Sequence, residues 1–178
     1  MKKILTGILT ALLLVSGCAK ESDSSTPAHP KENTPKAILP TPTHEPTLEE
    51  VSAAAQKIGI EMVDQTEIMN EEMSFDQVFA CDAEKSFVLY EDWTTTADAE
   101  ASFKNFYQQY IFPAETVEGI KVWTSESDVG NYALLDATSY QDDGAFFMMY
   151  RVNDKVVLFT TDVSHSEQAR QFMDMIDG

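Results

Sequence analysis

Ala145-Phe146-Phe147-Met148-Met149-Tyr150-Arg151-Val152 and Val156-Val157-Leu158-Phe159-Thr160-Thr161-Asp162 decide the fold of this chain. Both runs are rich in aromatic and β-branched residues, and Asn153-Asp154 between them is turn chemistry, so they predict adjacent antiparallel strands. In the first run Phe146, Met148, Tyr150 and Val152 alternate with Phe147, Met149 and Arg151. Both sides of that strand are apolar, which predicts a central position in the sheet. Ile120 to Ser125 and Tyr132 to Ser139 read as two further strands, set off by Asp128-Val129-Gly130-Asn131 and Gln141-Asp142-Asp143-Gly144. Short turn-rich links between successive strands favour a four-stranded meander.

Upstream, Phe75 to Cys81 and Ser86 to Tyr90 form a predicted hairpin through Asp82-Ala83-Glu84-Lys85. A helix is predicted from Ala97 to Ile111, where Ala99, Phe103, Phe106, Tyr107 and Tyr110 recur on one side. Thr95 or Thr96 caps it and Pro113 ends it. A first helix opens at Thr47, with Glu50 completing a capping box; Leu48, Val51, Ala54, Ala55 and Ile58 line one side before Gly59. Ile60 to Val63 reads as a short strand followed by an acidic loop through Glu71 and Glu72. A closing helix, capped by Ser164 with Glu167, buries Ala169, Phe172, Met173 and Ile176. The order predicts an α+β fold, an antiparallel sheet of hairpin plus meander with about three helices covering one face.

The chain before this domain has another character. Lys2 and Lys3 precede an apolar run from Ile4 to Val15, about a dozen residues where a membrane-crossing helix needs roughly 20. Such a run is the core of a signal peptide over residues 1–17. Residues 18–46 hold six of the chain's seven prolines, among Ser, Thr, Lys and Glu, which predicts a disordered, solvated linker. For the 28 residues from Ala19 to Pro46, coil scaling gives roughly 30 Å and full polyproline extension roughly 85 Å. The single globular domain is thereby placed at 47–178.

Val15-Ser16-Gly17-Cys18 resembles the lipobox of bacterial lipoproteins. That resemblance implies cleavage before Cys18 and a thioether-linked diacylglyceryl group on its sulfur; a plain secretory signal is the alternative. Two acyl chains at about 0.8 kcal/mol per buried methylene make membrane residence stable, where one chain is marginal. With Cys18 acylated, Cys81 has no intramolecular partner for a disulfide, and its setting in Val78-Phe79-Ala80-Cys81 predicts a small core hydrophobe. From about Thr47 onward, the run ending Tyr150-Arg151-Val152-Asn153-Asp154, the strand after it and the closing helix through Phe172 and Ile176 resemble small lipoproteins of uncharacterised function from Gram-positive, clostridia-like bacteria. The resemblance implies a cell-surface protein on a Ser/Thr/Pro-rich tether. It implies no catalytic residue.

Charge excludes some partners. Twelve basic residues face 30 acidic ones, and without Lys2 and Lys3 the balance is 10 to 30, a formal charge of −20. Nucleic acid is excluded, because its binding relies on a basic patch that releases counterions. Anionic headgroups are repelled as well, which leaves the acyl chains as the membrane attachment. The chain contains no Gly-x-Ser-x-Gly, phosphate-cradling glycine loop, HExxH or CxxC pattern. His29 and His44 lie in the linker without metal-site spacing, His165 follows Ser164 at a helix start, and Asp142-Asp143-Gly144 reads as a turn. No catalytic, metal-binding or cofactor-binding residue is assigned, and the chain is read as non-enzymatic.

Three functions fit. The first is a membrane-anchored, extracytoplasmic binding module of the cell envelope with an envelope protein as partner, using Trp93 or Trp123 if exposed. The second is a small-ligand carrier or sensor with a pocket between sheet and helices. The third is an envelope hydrolase with paired carboxylates such as Glu91 and Asp92. Beside Trp93 those two acids also suit a carbohydrate or cation site, although a sheet-end loop is the simpler reading. The binding module is preferred.

Overall fold

The computed structural model describes residues 41–71, 73–83, 86–137 and 145–176. The predicted signal peptide, the predicted acylation site Cys18, His29 and the predicted turn at Asp142-Asp143-Gly144 lie outside the described residues. Helix α1 (Leu48–Lys57) starts where the sequence predicts. Thr47 Oγ1 accepts the Glu50 N–H at 3.3 Å, and Glu50 Oε2 accepts the Thr47 N–H at 2.8 Å. That backbone N–H holds the Glu50 carboxyl below its ordinary range. Gly59, at φ +82°, ends the helix in a backbone conformation that side chains resist.

Strand β1 (Val63–Asp64) is shorter and later than the predicted Ile60 to Val63, and a one-turn helix α2 (Thr66–Met69) replaces the start of the expected acidic loop. One local and one longer-range hydrogen bond fix this: Asp64 Oδ1 accepts the Thr66 N–H at 2.8 Å, while the Thr66 hydroxyl accepts the Val78 N–H at 2.8 Å. Ile60 is buried beside α1 instead. Strands β2 (Phe75–Ala83) and β3 (Ser86–Trp93) form the expected hairpin.

Helix α3 (Thr96–Phe106) is capped by Thr95, whose side chain accepts the Asp98 N–H. It continues as a π-helical turn, Tyr107–Ile111, and a 3₁₀ turn, Phe112–Thr116. Pro113 therefore does not end the helical backbone; it sits in the first turn of the 3₁₀ segment, where a missing N–H is harmless. Strands β4 (Lys121–Glu126), β5 (Gly130–Asp136), β6 (Ala145–Val152) and β7 (Lys155–Asp162) are the predicted meander. Asn153 turns the β6–β7 link at φ 50°, a conformation asparagine tolerates. A 3₁₀ turn, Val163–His165, leads into α4 (Ser166–Ile176).

Among the described residues, seven strands make one antiparallel sheet in the order β1-β2-β3-β7-β6-β5-β4. The fold is α+β. The hairpin docks its β3 edge on β7, and the chain returns from β3 to the far edge through α3. Helices lie on both faces, a correction to the expectation of one covered face. On the first face, α1 and α4 pack with Val88, Tyr90, Leu134, Phe146, Met148, Tyr150, Val157 and Phe159, and half-buried Cys81 adds to that layer. Phe159 stacks on Phe172 at 5.2 Å. On the second face, α3 and the turns after it pack with Val78, Leu89, Leu135, Phe147, Met149, Val156 and Leu158. The doubly apolar pattern of β6 demanded this second cover, because two bare apolar sheet faces cannot both meet water.

Thr41–Pro46, which composition assigns to the linker, lies on the sheet end. Pro42 and Pro46 are buried. The Ser127 hydroxyl donates to the Pro42 carbonyl, Tyr150 Oη to the His44 carbonyl at 2.7 Å, and Asn153 Nδ2 to Glu45 Oε2 at 2.6 Å. The packed chain thus begins at least six residues before Thr47. Gly130 accommodates this strap: a Cβ there would come within 2.3 Å of the Arg151 carbonyl and 2.8 Å of the Pro42 carbonyl.

Candidate functional site

Strand register lines up one row of side chains on the second face: Glu126, Asn131, Arg151, Val156, Glu91 and Val78, on β4, β5, β6, β7, β3 and β2 in turn. Two of these, Arg151 and Glu91, are charged and buried, at 5 % and 4 % exposure. They stand two strands apart, so interstrand spacing puts their backbones roughly 10 Å from each other. Each has its own set of partners.

Arg151 is held by neutral groups. Its Nε and Nη2 donate to Asn131 Oδ1 at 3.0 and 2.6 Å, and Nη1 donates to the Asn153 carbonyl at 2.9 Å. The nearest carboxylate is Glu100 of α3, whose Oε1 is 3.8 Å from Nη2 and whose side chain is 60 % exposed. Burial pushes the guanidinium pKa down and Glu100 opposes it; guanidinium is so basic that the cation persists.

Glu91 is answered by two donors on one oxygen. Trp93 Nε1 and Ser102 Oγ reach its Oε2 at 2.8 and 2.7 Å. Burial pushes the carboxyl pKa up from its ordinary value, against the pull of those two hydrogen bonds.

Beside Arg151 the face opens into a groove of about 810 Å³. One wall is α3 with the start of the π-helical turn, contributing Glu100, Phe103, Lys104 and Tyr107; the other is β4 and its turn, with Thr124, Glu126, Ser127 and Asp128. Asn131 and Arg151 make its floor. The groove exists because α3 crosses the central strands while the turn end of β4 and β5 extends past it. Sequence reasoning assigned none of these residues a role. The signal was present in one residue: an arginine in a strand whose every other member is apolar or alanine.

The residues singled out from the sequence fall elsewhere. Glu91, Asp92 and Trp93 form the end of strand β3, not a sheet-end loop. Adjacent strand positions face opposite ways, so Glu91 enters the second face while Asp92 meets Lys155 Nζ at 2.8 Å on the other. Lys155 also contacts Asp154 Oδ1 at 2.8 Å and Glu45 Oε1 at 3.6 Å. Burial alone would lower its pKa, but the Asp154 and Asp92 carboxylates outweigh that and raise it. The proposed carboxylate pair therefore does not converge. Trp93 is buried against Phe75, ring centroids 4.0 Å apart, and Trp123 packs half-buried against the first core, so neither supplies an exposed aromatic contact.

Ser164 does not act as the expected partner of Glu167; its hydroxyl donates to Asp162 Oδ1 at 2.6 Å. His165 Nδ1 lies 2.7 Å from both Ser164 Oγ and Asp162 Oδ1. A catalytic relay places serine and carboxylate on opposite ring nitrogens, whereas here both meet Nδ1 within four consecutive residues. This is turn geometry. Among the described residues no group of three His, Cys, Asp or Glu side chains could hold a metal, and no helix is long and apolar enough to cross a membrane.

No protein-family model, no curated protein and no solved structure matches this chain.

Proposed function

We propose that the chain is an extracytoplasmic lipoprotein, held to the membrane through acylated Cys18, that binds an envelope component without transforming it. The groove between α3 and β4–β5 is its working surface. The observation that carries this reading is the floor of that groove: a buried cation, Arg151, held in place by neutral acceptors rather than by a close carboxylate. Burying a charge costs several kcal/mol unless it is fully compensated, and a structural arginine is ordinarily given a carboxylate partner. The leader from Lys2 to Cys18 and the proline-rich tether support the location. The strap from Thr41 to Pro46 packs on the sheet end that carries the groove.

A second reading, a small-ligand carrier or sensor, is favoured by the groove's size. Its volume of about 810 Å³ lies within the roughly 300–1,000 Å³ typical of ligand sites. The test uses the intact chain in its own cells, with a photo-crosslinking residue at Lys104 in the groove wall or at Glu67 on the opposite edge. Adducts from position 104 alone, together with release of the Cys18→Ser variant from the membrane fraction, support the proposal. Adducts at neither position, or a Cys18→Ser chain that remains membrane-bound, overturn it.

A further inference from the structure

The groove's chemistry points to the class of its ligand. Of the five N–H groups on Arg151, three are committed: Nε–H and one on Nη2 to Asn131, and one on Nη1 to the Asn153 carbonyl. One N–H on each terminal nitrogen is left, with only Glu100 beyond, at 3.8 Å and largely in solvent. That distance is too long for a charge-assisted hydrogen bond, which closes to roughly 2.7–2.9 Å. Asn131 grips the guanidinium from its side and Asn153, in its left-handed turn, holds one end. The planar fork is therefore set before any ligand arrives, which removes the ordering penalty from binding.

A fixed guanidinium with donors to spare fits a carboxylate better than any other common group. A ligand of net negative charge, however, would have to approach a rim on which three acids, Glu100, Glu126 and Asp128, face one exposed base, Lys104, on a chain of strongly negative charge. A ligand that also carries an ammonium group meets no such barrier, and the rim acids answer its positive end. Phe103 and Tyr107 offer aromatic surface on the helical wall. We infer that the groove binds a small zwitterion of the amino acid or short peptide class, its carboxylate clasped by Arg151 and its ammonium group set against Glu126 and Asp128.

This inference rests on the groove being the binding surface, and its test is separable from that reading. Calorimetry of the full chain in detergent uses tri-alanine, tri-alanine amide, N-acetyl-tri-alanine, L-alanine and acetate. Tri-alanine binds with a dissociation constant of about 1 mM or tighter. Amidation removes the carboxylate and weakens binding about tenfold or more, and acetylation removes the ammonium and weakens it about threefold. Glu100→Gln tightens tri-alanine about threefold, because the carboxylate that stands 3.8 Å from the fork is gone, whereas Glu126→Gln at the exposed rim weakens it by a similar factor. Arg151→Lys keeps the charge but loses the fork and costs about tenfold. L-alanine binding as tightly as tri-alanine supports a free amino acid as the source, and weaker L-alanine supports a peptide end. Acetate or the amide binding as well as tri-alanine overturns the inference. So does no binding of any probe at about 10 mM to both wild type and Glu100→Gln. If position 104 still crosslinks in cells while every probe fails, the binding-module reading stands and the zwitterion falls.

Discussion

The two faces of the sheet are built differently from the same strands. The first, under α1 and α4, is closed by aromatic and aliphatic packing from Tyr90 to Phe159, and its polar groups are paired at the margins: Arg170 lies 5.0 Å over Phe146 and meets Asp136 at 3.2 Å, Lys155 meets Asp92 at 2.8 Å, and the Ser86 and Thr161 hydroxyls meet at 2.8 Å. The second, under α3, carries two buried charges in a single row and opens at one end. Alternation along β6 makes both: Phe146, Met148 and Tyr150 serve the first face while Phe147, Met149 and Arg151 serve the second. Both faces carry an apolar core, and the second also keeps a polar, accessible end.

Mutations at the two faces should therefore separate stability from binding. The largest effect is expected from Phe159→Ala, which removes a fully buried ring from the first face. Chemical denaturation should show a loss of about 3–5 kcal/mol, with groove probes binding the remaining folded chain unchanged. Loss of probe binding in the folded fraction would break the division between faces. Next is Gly130→Ala, whose added methyl collides with the Arg151 and Pro42 carbonyls. We expect about 2 kcal/mol of destabilisation and faster proteolytic cutting within residues 41–46, because the strap has to lift.

Thr47→Ala tests the cap of α1 on the first face, with an expected loss of about 1 kcal/mol by denaturation and no change at the groove. The finest probe is Glu91→Gln on the second face. Burial raises the folded-state pKa of Glu91 above its unfolded value, so the folded chain binds that proton more tightly. Its favourable contribution is complete below the unfolded carboxyl range, near 4.3, and is lost as pH rises through the folded value. The variant's stability relative to wild type should accordingly climb with pH across that interval in parallel denaturation series. A flat difference would mean that Glu91 is not paying for burial.

Much of the fold is legible because its determinants are local. Thr47 with Glu50, the Asn153-Asp154 turn and the run of β4 to β7 are each set within a few residues, and the elements form within a few positions of where they are predicted. What escapes the sequence is non-local. Nothing near Ser86 to Trp93 says that β3 will pair with β7 some seventy residues later, as in Glu91 opposite Val156. The strap is hidden for the same reason: Pro42 and His44 look like linker until Ser127 and Tyr150 come from far along the chain to bind their carbonyls. The π-helical turn after Phe106 has no signature in Tyr107-Gln108-Gln109-Tyr110-Ile111 that separates it from ordinary helix. Arg151 was visible as an interruption in an apolar strand, but its partners Asn131 and Asn153 looked only like turn residues.

The most direct measurement is hydrogen exchange of the chain in native envelope membranes, compared with the purified chain in detergent. Slowed exchange in membranes across residues 100–107 and 124–131, with the α1 and α4 face unchanged, is the predicted result. Protection confined to residues 63–73, or no difference at the groove, would contradict the assignment of the second face to binding.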